Sequence, residues 1–193
     1  MWHGVLSDSR FYAALTRFDQ DLAAQVRAAG CGCGGRLHSA RYPRKPRGGP
    51  PDLGREYEWR LSFCCAEESC RRRVTPASVR YLGRRVYLGV VVVLVSAMEQ
   101  GLSLRRVAAL NHHLGIGLRT LRRWRQWWRS AFTGSPFWRG ARGRFVPPVC
   151  ESVLPQALIE RFGGSAAERV LSVLAFLSPL TTRSGTARGS ARR

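Results

Sequence analysis

Acidic residues are scarce in this chain, with 12 Asp plus Glu against 32 Lys plus Arg among 193 residues and a formal net charge of +20. The deficit is local as well as global. Between residues 69 and 150 there are sixteen Arg and one acid, Glu99, and between residues 101 and 150 there are ten Arg and no acid. A solvated face normally mixes both signs, and uncompensated repulsion weakens a compact state unless a polyanion or anionic surface stands nearby. Nucleic acid is the first partner this implies. Lysine is nearly absent too, Lys45 being the one example. Arginine binds phosphate and guanine edges as a planar fork, although a GC-rich genome gives the same bias, so the sign and placement of the charge carry the argument.

Long apolar runs are missing as well. The strongest, VYLGVVVVLVSAM at residues 86 to 98, has 13 residues, short of the ~20 a membrane-spanning helix needs. The N-terminal stretch carries Asp8, Asp19 and Asp21 and no continuous apolar segment, so no secretory signal is expected. These readings place the chain in the cytoplasm, associated with the nucleoid. Nor is there a Ser-His-Asp order, a Gly-rich phosphate loop or a paired-carboxylate motif, and the adjacent His112 and His113 would face different ways on a helix. The chain is not expected to be an enzyme.

What is present suffices for a core, since 45% of residues are hydrophobic and 10% aromatic. Residues 8 to 29 read as a helix with Phe11, Leu15, Phe18, Leu22 and Val26 on one face, Asp8 or Ser9 at its start and Gly30 at its end. A CGCGG turn at 31 to 35 and a short RLHSARY segment follow. Residues 43 to 54 are rich in Pro and Gly and read as a loop, and YEWRLSF at 57 to 63 alternates as a strand. From Tyr81 to about Trp128 the pattern is helical, residues 134 to 148 read as irregular, and helices are expected over 154 to 162 and 166 to 176. The tail from Thr181 lacks apolar content and should be disordered.

The resulting fold class is mainly α with a small β zinc ribbon. Its parts are an N-terminal helix (1–30), a ribbon with a Pro/Gly-rich loop (31–80), a three-helix helix-turn-helix unit (81–132), a C-terminal helical extension (133–180) and a basic tail (181–193).

Six cysteines shape the ribbon expectation. Cys31 and Cys33 form one close pair beside glycines; Cys64, Cys65 and Cys70 follow about thirty residues later. Two such pairs, each at a turn beside a short strand, are how a chain closes a tetrahedral thiolate site around Zn2+. Cys64 and Cys65 compete for one position. On an alternating strand Cys65 points with Leu61 and Phe63 and Cys64 points away, so the expected ligands are Cys31, Cys33, Cys65 and Cys70, with Cys64 the alternative to Cys65. His38 is a fallback ligand, and Cys150 is assigned no role.

The segment SLRRVAALNHHLGIGLRTLRRWRQWWRSAF, residues 103 to 132, reads as two helices around a glycine turn. Ser103 can cap the first, in which Leu104, Val107, Ala108 and Leu110 share an apolar face. Leu114, Gly115 and Ile116 make the turn, and the 86 to 98 run supplies a third, scaffold helix. In the second helix Leu118, Leu121, Trp124 and Trp128 face the core. Arg119, Arg122, Arg123, Gln126 and Arg129 lie opposite and suit base edges and phosphates of the major groove, with Arg105 and Arg106 adding contacts from the first helix.

Taken together, CGCGG…LSFCCAEESCRRR…SLRRVAALNHHLGIGLRTLRRW resembles the zinc-ribbon plus helix-turn-helix DNA-binding region of bacterial insertion-sequence transposases and small transposon-associated proteins. The resemblance spans roughly residues 31 to 132, and the C-x-C pair departs from the usual C-x2-C. It implies double-stranded DNA as partner, alongside a separate recombinase. A carboxylate-triad transposase needs three acids on an RNase H-like sheet to hold two metal ions, and the few late acids here, Glu151, Glu160 and Glu168, offer no such frame. The expected function is therefore an accessory or regulatory DNA-binding factor without its own catalytic domain. The alternative is an RNA-binding or ribosome-associated zinc-ribbon protein that grips structured RNA through phosphates.

Overall fold

The computed structural model describes residues 3–82, 86–97, 108, 112 and 114–182. Within them the chain is mainly helical with a small antiparallel sheet. A short helix α1 (His3–Ser7) precedes the long α2 (Ser9–Ala29), where Asp8 caps the start by accepting from the Arg10 amide at 2.9 Å and Gly30 ends it at φ +72°. The expected stripe is kept at Phe11 and Leu15, which are buried, and fades to half-burial at Phe18, Leu22 and Val26. Asp19 lies on the same face and is buried, which a hydrophobic pattern has no means of showing.

Next comes a bent antiparallel ribbon. β1 (Leu37–Ser39) pairs with β4 (Phe63–Cys65), and β2 (Tyr42–Pro43) pairs with β3 (Trp59–Arg60). Both pairs keep one register, from Leu37 opposite Cys65 to Pro43 opposite Trp59, with the Ala40 amide bonded to Ser62 O between them. β5 (Arg73–Val74) adds to the other side of β4. The single strand expected over 57 to 63 is therefore corrected to a 3-10 turn, Arg55–Glu58, and two short strands. Tyr57 is drawn out of the ladder because its ring is buried against α2, its hydroxyl donating to Tyr12 O at 2.8 Å.

The ribbon and the main core are joined through Asp19. Its carboxylate accepts from Ser78 Oγ (2.6 Å), the Val79 amide (2.7 Å) and Arg80 Nε (2.8 Å), and Arg60 Nη1 lies 3.9 Å away. Arg80, 2% exposed, lies over the Tyr57 and Tyr81 rings and donates to Glu56 O. Arg60 reaches back from β3 to donate to Pro76 O.

Beyond this junction Tyr81 bridges Leu88, so helix begins later than the expected Tyr81, at α3 (Gly89–Ala97). All of α3 except Ser96 is buried, which explains an apolar run without polar alternation: it is a core helix surrounded by protein. It packs against α4 (Leu118–Gln126) and the later α7 (Ala166–Leu177). Ala108, His112 and Leu114 are helical, whereas Ser103, Leu104, Arg105, Arg106, Val107, Leu110 and His113 lie outside the described residues. Ala108 is exposed, contrary to its expected place on an apolar face.

After α4 the helix widens into a π turn, Trp127–Phe132, which carries Trp128 and Phe132 into an aromatic cluster. The expected irregular stretch 134 to 148 contains a helix, α5 (Pro136–Ala141). Pro136 opens it, and the Ser135 hydroxyl accepts from the Trp138 amide, so the proline read as a breaker is a starter. The helix expected over 154 to 162 shrinks to α6 (Gln156–Ile159), since Pro155 delays it. α7 matches its expected span and begins in a capping box of Ser165 and Glu168. Thr181, expected in a disordered tail, accepts from the Ser78 amide at 2.9 Å and is held at the junction.

Removing Asp19 strands two buried guanidinium groups. Asp19→Ala is expected to cost about 3–5 kcal/mol in denaturant unfolding at neutral pH, and a loss below ~1 kcal/mol would show that the carboxylate does not hold the junction.

Candidate metal centre and basic helix face

The sulfur cluster forms where two turns meet at the end of α2. Leaving the helix, the chain turns at residues 31–35, with the Cys31 amide bonded to Gly35 O and the Gly34 amide to Cys31 O. Gly34 adopts φ +86°, which an L residue rarely tolerates. Opposite, the loop after β4 closes through bonds from the Cys70 and Arg71 amides to Glu67 O, with Arg71 itself at φ +42°.

These turns bring Cys31, Cys33, Cys65 and Cys70 together with their Sγ atoms within 4.8 Å of one another. Cys33 and Cys65 sulfurs are 3.4 Å apart, and Cys31 and Cys70 sulfurs 3.7 Å. Both separations are too long for disulfides. Four thiolates bound tetrahedrally at ~2.3 Å would sit roughly 3.8 Å apart, close to the spacing seen. The cluster can hold a metal ion. Gly35 adds a second sign of a tight cradle, since a Cβ there would lie 2.8 Å from Cys65 Sγ and 2.6 Å from Glu67 Cγ.

Three of the thiols are shifted from the ordinary range. The Cys33 amide facing the Cys31 sulfur is the main cause that lowers Cys31 to about 7. Burial pushes Cys65 up to about 12 against the opposing effect of the Glu67 amide. At Cys70 the Arg72 amide pulls the thiol down, but Cys33 and burial outweigh it and the group is raised. Thiols lose their protons when they bind a cation, so binding to all four releases protons and weakens as pH falls.

The choice between Cys64 and Cys65 follows the strand alternation. Phe63 and Cys65 are buried on one face, whereas Cys64 points to the other and lies 3.4 Å from Arg71 O. His38, the fallback ligand, pairs with Cys64 in the ladder, is exposed and is not in the cluster. Cys150 is exposed beside Ser152.

The second candidate feature is α4. Leu121, Trp124 and Trp128 are buried, and Leu118 is half-buried. Trp124 meets the Tyr87 ring edge-to-face at 5.1 Å, and the Tyr87 hydroxyl donates to Gly115 O at 2.6 Å, which pins the preceding turn. Arg119, Arg122, Arg123, Gln126 and Arg129 are exposed. Among the described residues no carboxylate stands within ion-pair distance of these four arginines. Arg105 and Arg106 lie outside the described residues.

Purified with added Zn2+, the wild-type chain is expected to hold about one equivalent, and Cys33→Ser, Cys65→Ser and Cys70→Ser each to lose it. Cys64→Ser and Cys150→Ser should keep it. Gly35→Ala should weaken retention in a chelator competition, and wild-type affinity should fall as pH is lowered. Full metal content in Cys65→Ser with loss in Cys64→Ser would reverse the assignment. No family model, curated protein or solved structure matches this chain.

Proposed function

We propose that the chain is a zinc-dependent DNA-binding protein, an accessory or regulatory factor of the transposon-associated kind without a catalytic domain of its own. The observation that carries this reading is the division of α4 into a buried apolar side and an exposed side with Arg119, Arg122, Arg123 and Gln126, whose arginines meet no carboxylate within ion-pair distance among the described residues. A helix so divided fits the major groove, where Arg addresses guanine and phosphate and Gln addresses adenine. The helical residues Ala108, His112 and Leu114, the turn at Gly115 (φ +64°) and α4 in succession support a helix-turn-helix, with α3 as its buried scaffold.

In this reading Cys31, Cys33, Cys65 and Cys70 hold Zn2+, which closes the ribbon and takes no part in chemistry. The ion would stabilise a sheet of very short strands whose own apolar cluster is small. A separate recombinase supplies strand transfer where the protein serves transposition.

Two variants one residue apart test the reading. Trp124→Ala should open a cavity, cost about 3–5 kcal/mol and abolish binding with the fold. Arg123→Ala should leave the thermal midpoint nearly unchanged while weakening binding to the preferred duplex by about 1–3 kcal/mol and relaxing discrimination against random duplex. With ~6 to 8 arginines on phosphates, log K should fall against log salt with a slope of about −5 to −7. A slope shallower than about −2 removes the basic face as the interface, and structured RNA outcompeting duplex of equal phosphate count replaces DNA with RNA.

A further inference from the structure

A cavity of about 950 Å³ opens between the strand pair β2–β3, the β5 segment and the end of the C-terminal helical region at residues 180–182. Its size suits a small-molecule-sized group. Tyr42, Arg44, Arg60, Arg72 and Arg73 line it, and among the described residues no Asp or Glu does. Asp19, which faces Arg60, is taken up by Ser78, Val79 and Arg80 and stands 3.9 Å from Arg60 Nη1. Arg60 is 3% exposed, and its Nη1 has no hydrogen-bond partner. Arg60 is thus turned toward Asp19 and Pro76 O, and Arg72 and Arg73 are the exposed cations of the lining.

The chain alternation sorts the arm that forms one wall. From residue 41 to 47, Arg41, Pro43, Lys45 and Arg47 are exposed while Tyr42, Arg44 and Pro46 are half-buried. Tyr42 and Arg44 of the arm line the cavity, with the Arg44 guanidinium 5.1 Å over the Tyr81 ring. Arg72 and Arg73 are exposed on the opposite wall and have no carboxylate within ion-pair distance among the described residues. An aromatic face combined with guanidinium groups that accept phosphate is the chemistry that holds an unstacked nucleotide.

We propose that the cavity between the ribbon and the chain's C-terminal helical end binds one unpaired nucleotide of a nucleic-acid strand. Arg72 and Arg73 take its phosphate, and Tyr42 receives its base. A duplex keeps its bases stacked inside, so a blunt duplex cannot fill this cavity, whereas a single-stranded end or overhang can. The inference rests on the proposed reading that the chain binds nucleic acid, but it depends on different residues from those of α4.

The test uses the zinc-loaded full chain and fluorescent oligonucleotides: a blunt duplex, the same duplex with a short single-stranded overhang, and a free nucleoside monophosphate as competitor. The double variant Arg72→Gln/Arg73→Gln and the single variant Tyr42→Ala should each lose about tenfold in affinity for the overhang substrate. Both should stay within about twofold of wild type on blunt duplex, since that duplex does not enter the cavity. Tyr42→Phe should retain overhang binding, and unchanged zinc content and circular dichroism show that the variants fold. The pair Arg119→Gln/Arg123→Gln should instead weaken both duplex substrates. Cavity variants that bind the overhang like wild type, or that lose equally on both substrates, overturn the inference while leaving the α4 reading standing. Loss of duplex binding in neither set overturns the α4 reading instead. Free monophosphate competing as well as the overhang strand would overturn the strand assignment and make the ligand a free nucleotide.

Discussion

The buried carboxylate of Asp19 is the constraint on which the arrangement of parts depends. It sits in the middle of α2, and its partners come from residues 78 to 80, with Arg60 approaching from β3. One side chain therefore joins three segments, which the bonds of Tyr57 to Tyr12 O, Arg80 to Glu56 O and Arg60 to Pro76 O also tie together. α2 ends at Gly30, one residue before the first cysteine, and residues 78 to 80 lead into the core helix α3. Placing one end of this junction places both the sulfur cluster and the helices. A buried ion pair of this kind is not a large net source of stability, since desolvation offsets much of the attraction. Its contribution is geometric: the two arginines it serves have no better place to put their charge.

The two candidate features draw on different physics. The cysteine sheet has strands of two or three residues and a small apolar cluster of its own, built from residues such as Ala23, Leu37 and Phe63. A metal held by four thiolates would compensate for what so small a core cannot supply. The helical part needs no such help. Its core continues from Val5 through α3 to Leu177, with Trp124, Trp128 and Trp138 among its largest buried side chains. Burying those rings on one side of α4 and its π turn is what leaves the arginines on the other side facing water. The charge of the exposed face and the apolar bulk of the hidden face are thus two results of one sequence periodicity.

Charge repulsion explains why the basic features are spread rather than concentrated. Arg119, Arg122, Arg123 and Arg129 sit on α4, while Arg44, Arg72 and Arg73 surround the cavity beside the sheet. Among the described residues no carboxylate stands within ion-pair distance of Arg119, Arg122, Arg123, Arg129, Arg72 or Arg73. Three acids hold parts of the fold: Asp19 at the junction, Glu151 accepting from the Trp138 indole, and Glu168 closing the cap of α7.

Features governed by local periodicity were legible in the sequence. The span of α2 and its caps, the burial of Trp124 and Trp128 opposite Arg122 and Arg123, and the turning of Cys65 inward with Cys64 outward each follow from a repeat of 3.6 or 2 residues. The convergence of Cys31, Cys33, Cys65 and Cys70 was legible from spacing, because paired thiols at two turns have few other arrangements. Other features required the tertiary structure. The burial of Asp19 within an amphipathic helix is tolerable only because Arg80 and Arg60 approach it. Pro136 looked like a breaker until Ser135 was seen to cap the helix it begins. Tyr57 left an otherwise regular strand pattern because Tyr12 offered an acceptor across the core. The basic cavity is assembled from Tyr42, Arg60 and Arg73, residues distant in sequence. Periodicity reports which face of an element is apolar, but the partners that satisfy a buried charge, a cap or a hydroxyl come from elsewhere in the chain, and only the folded arrangement decides them.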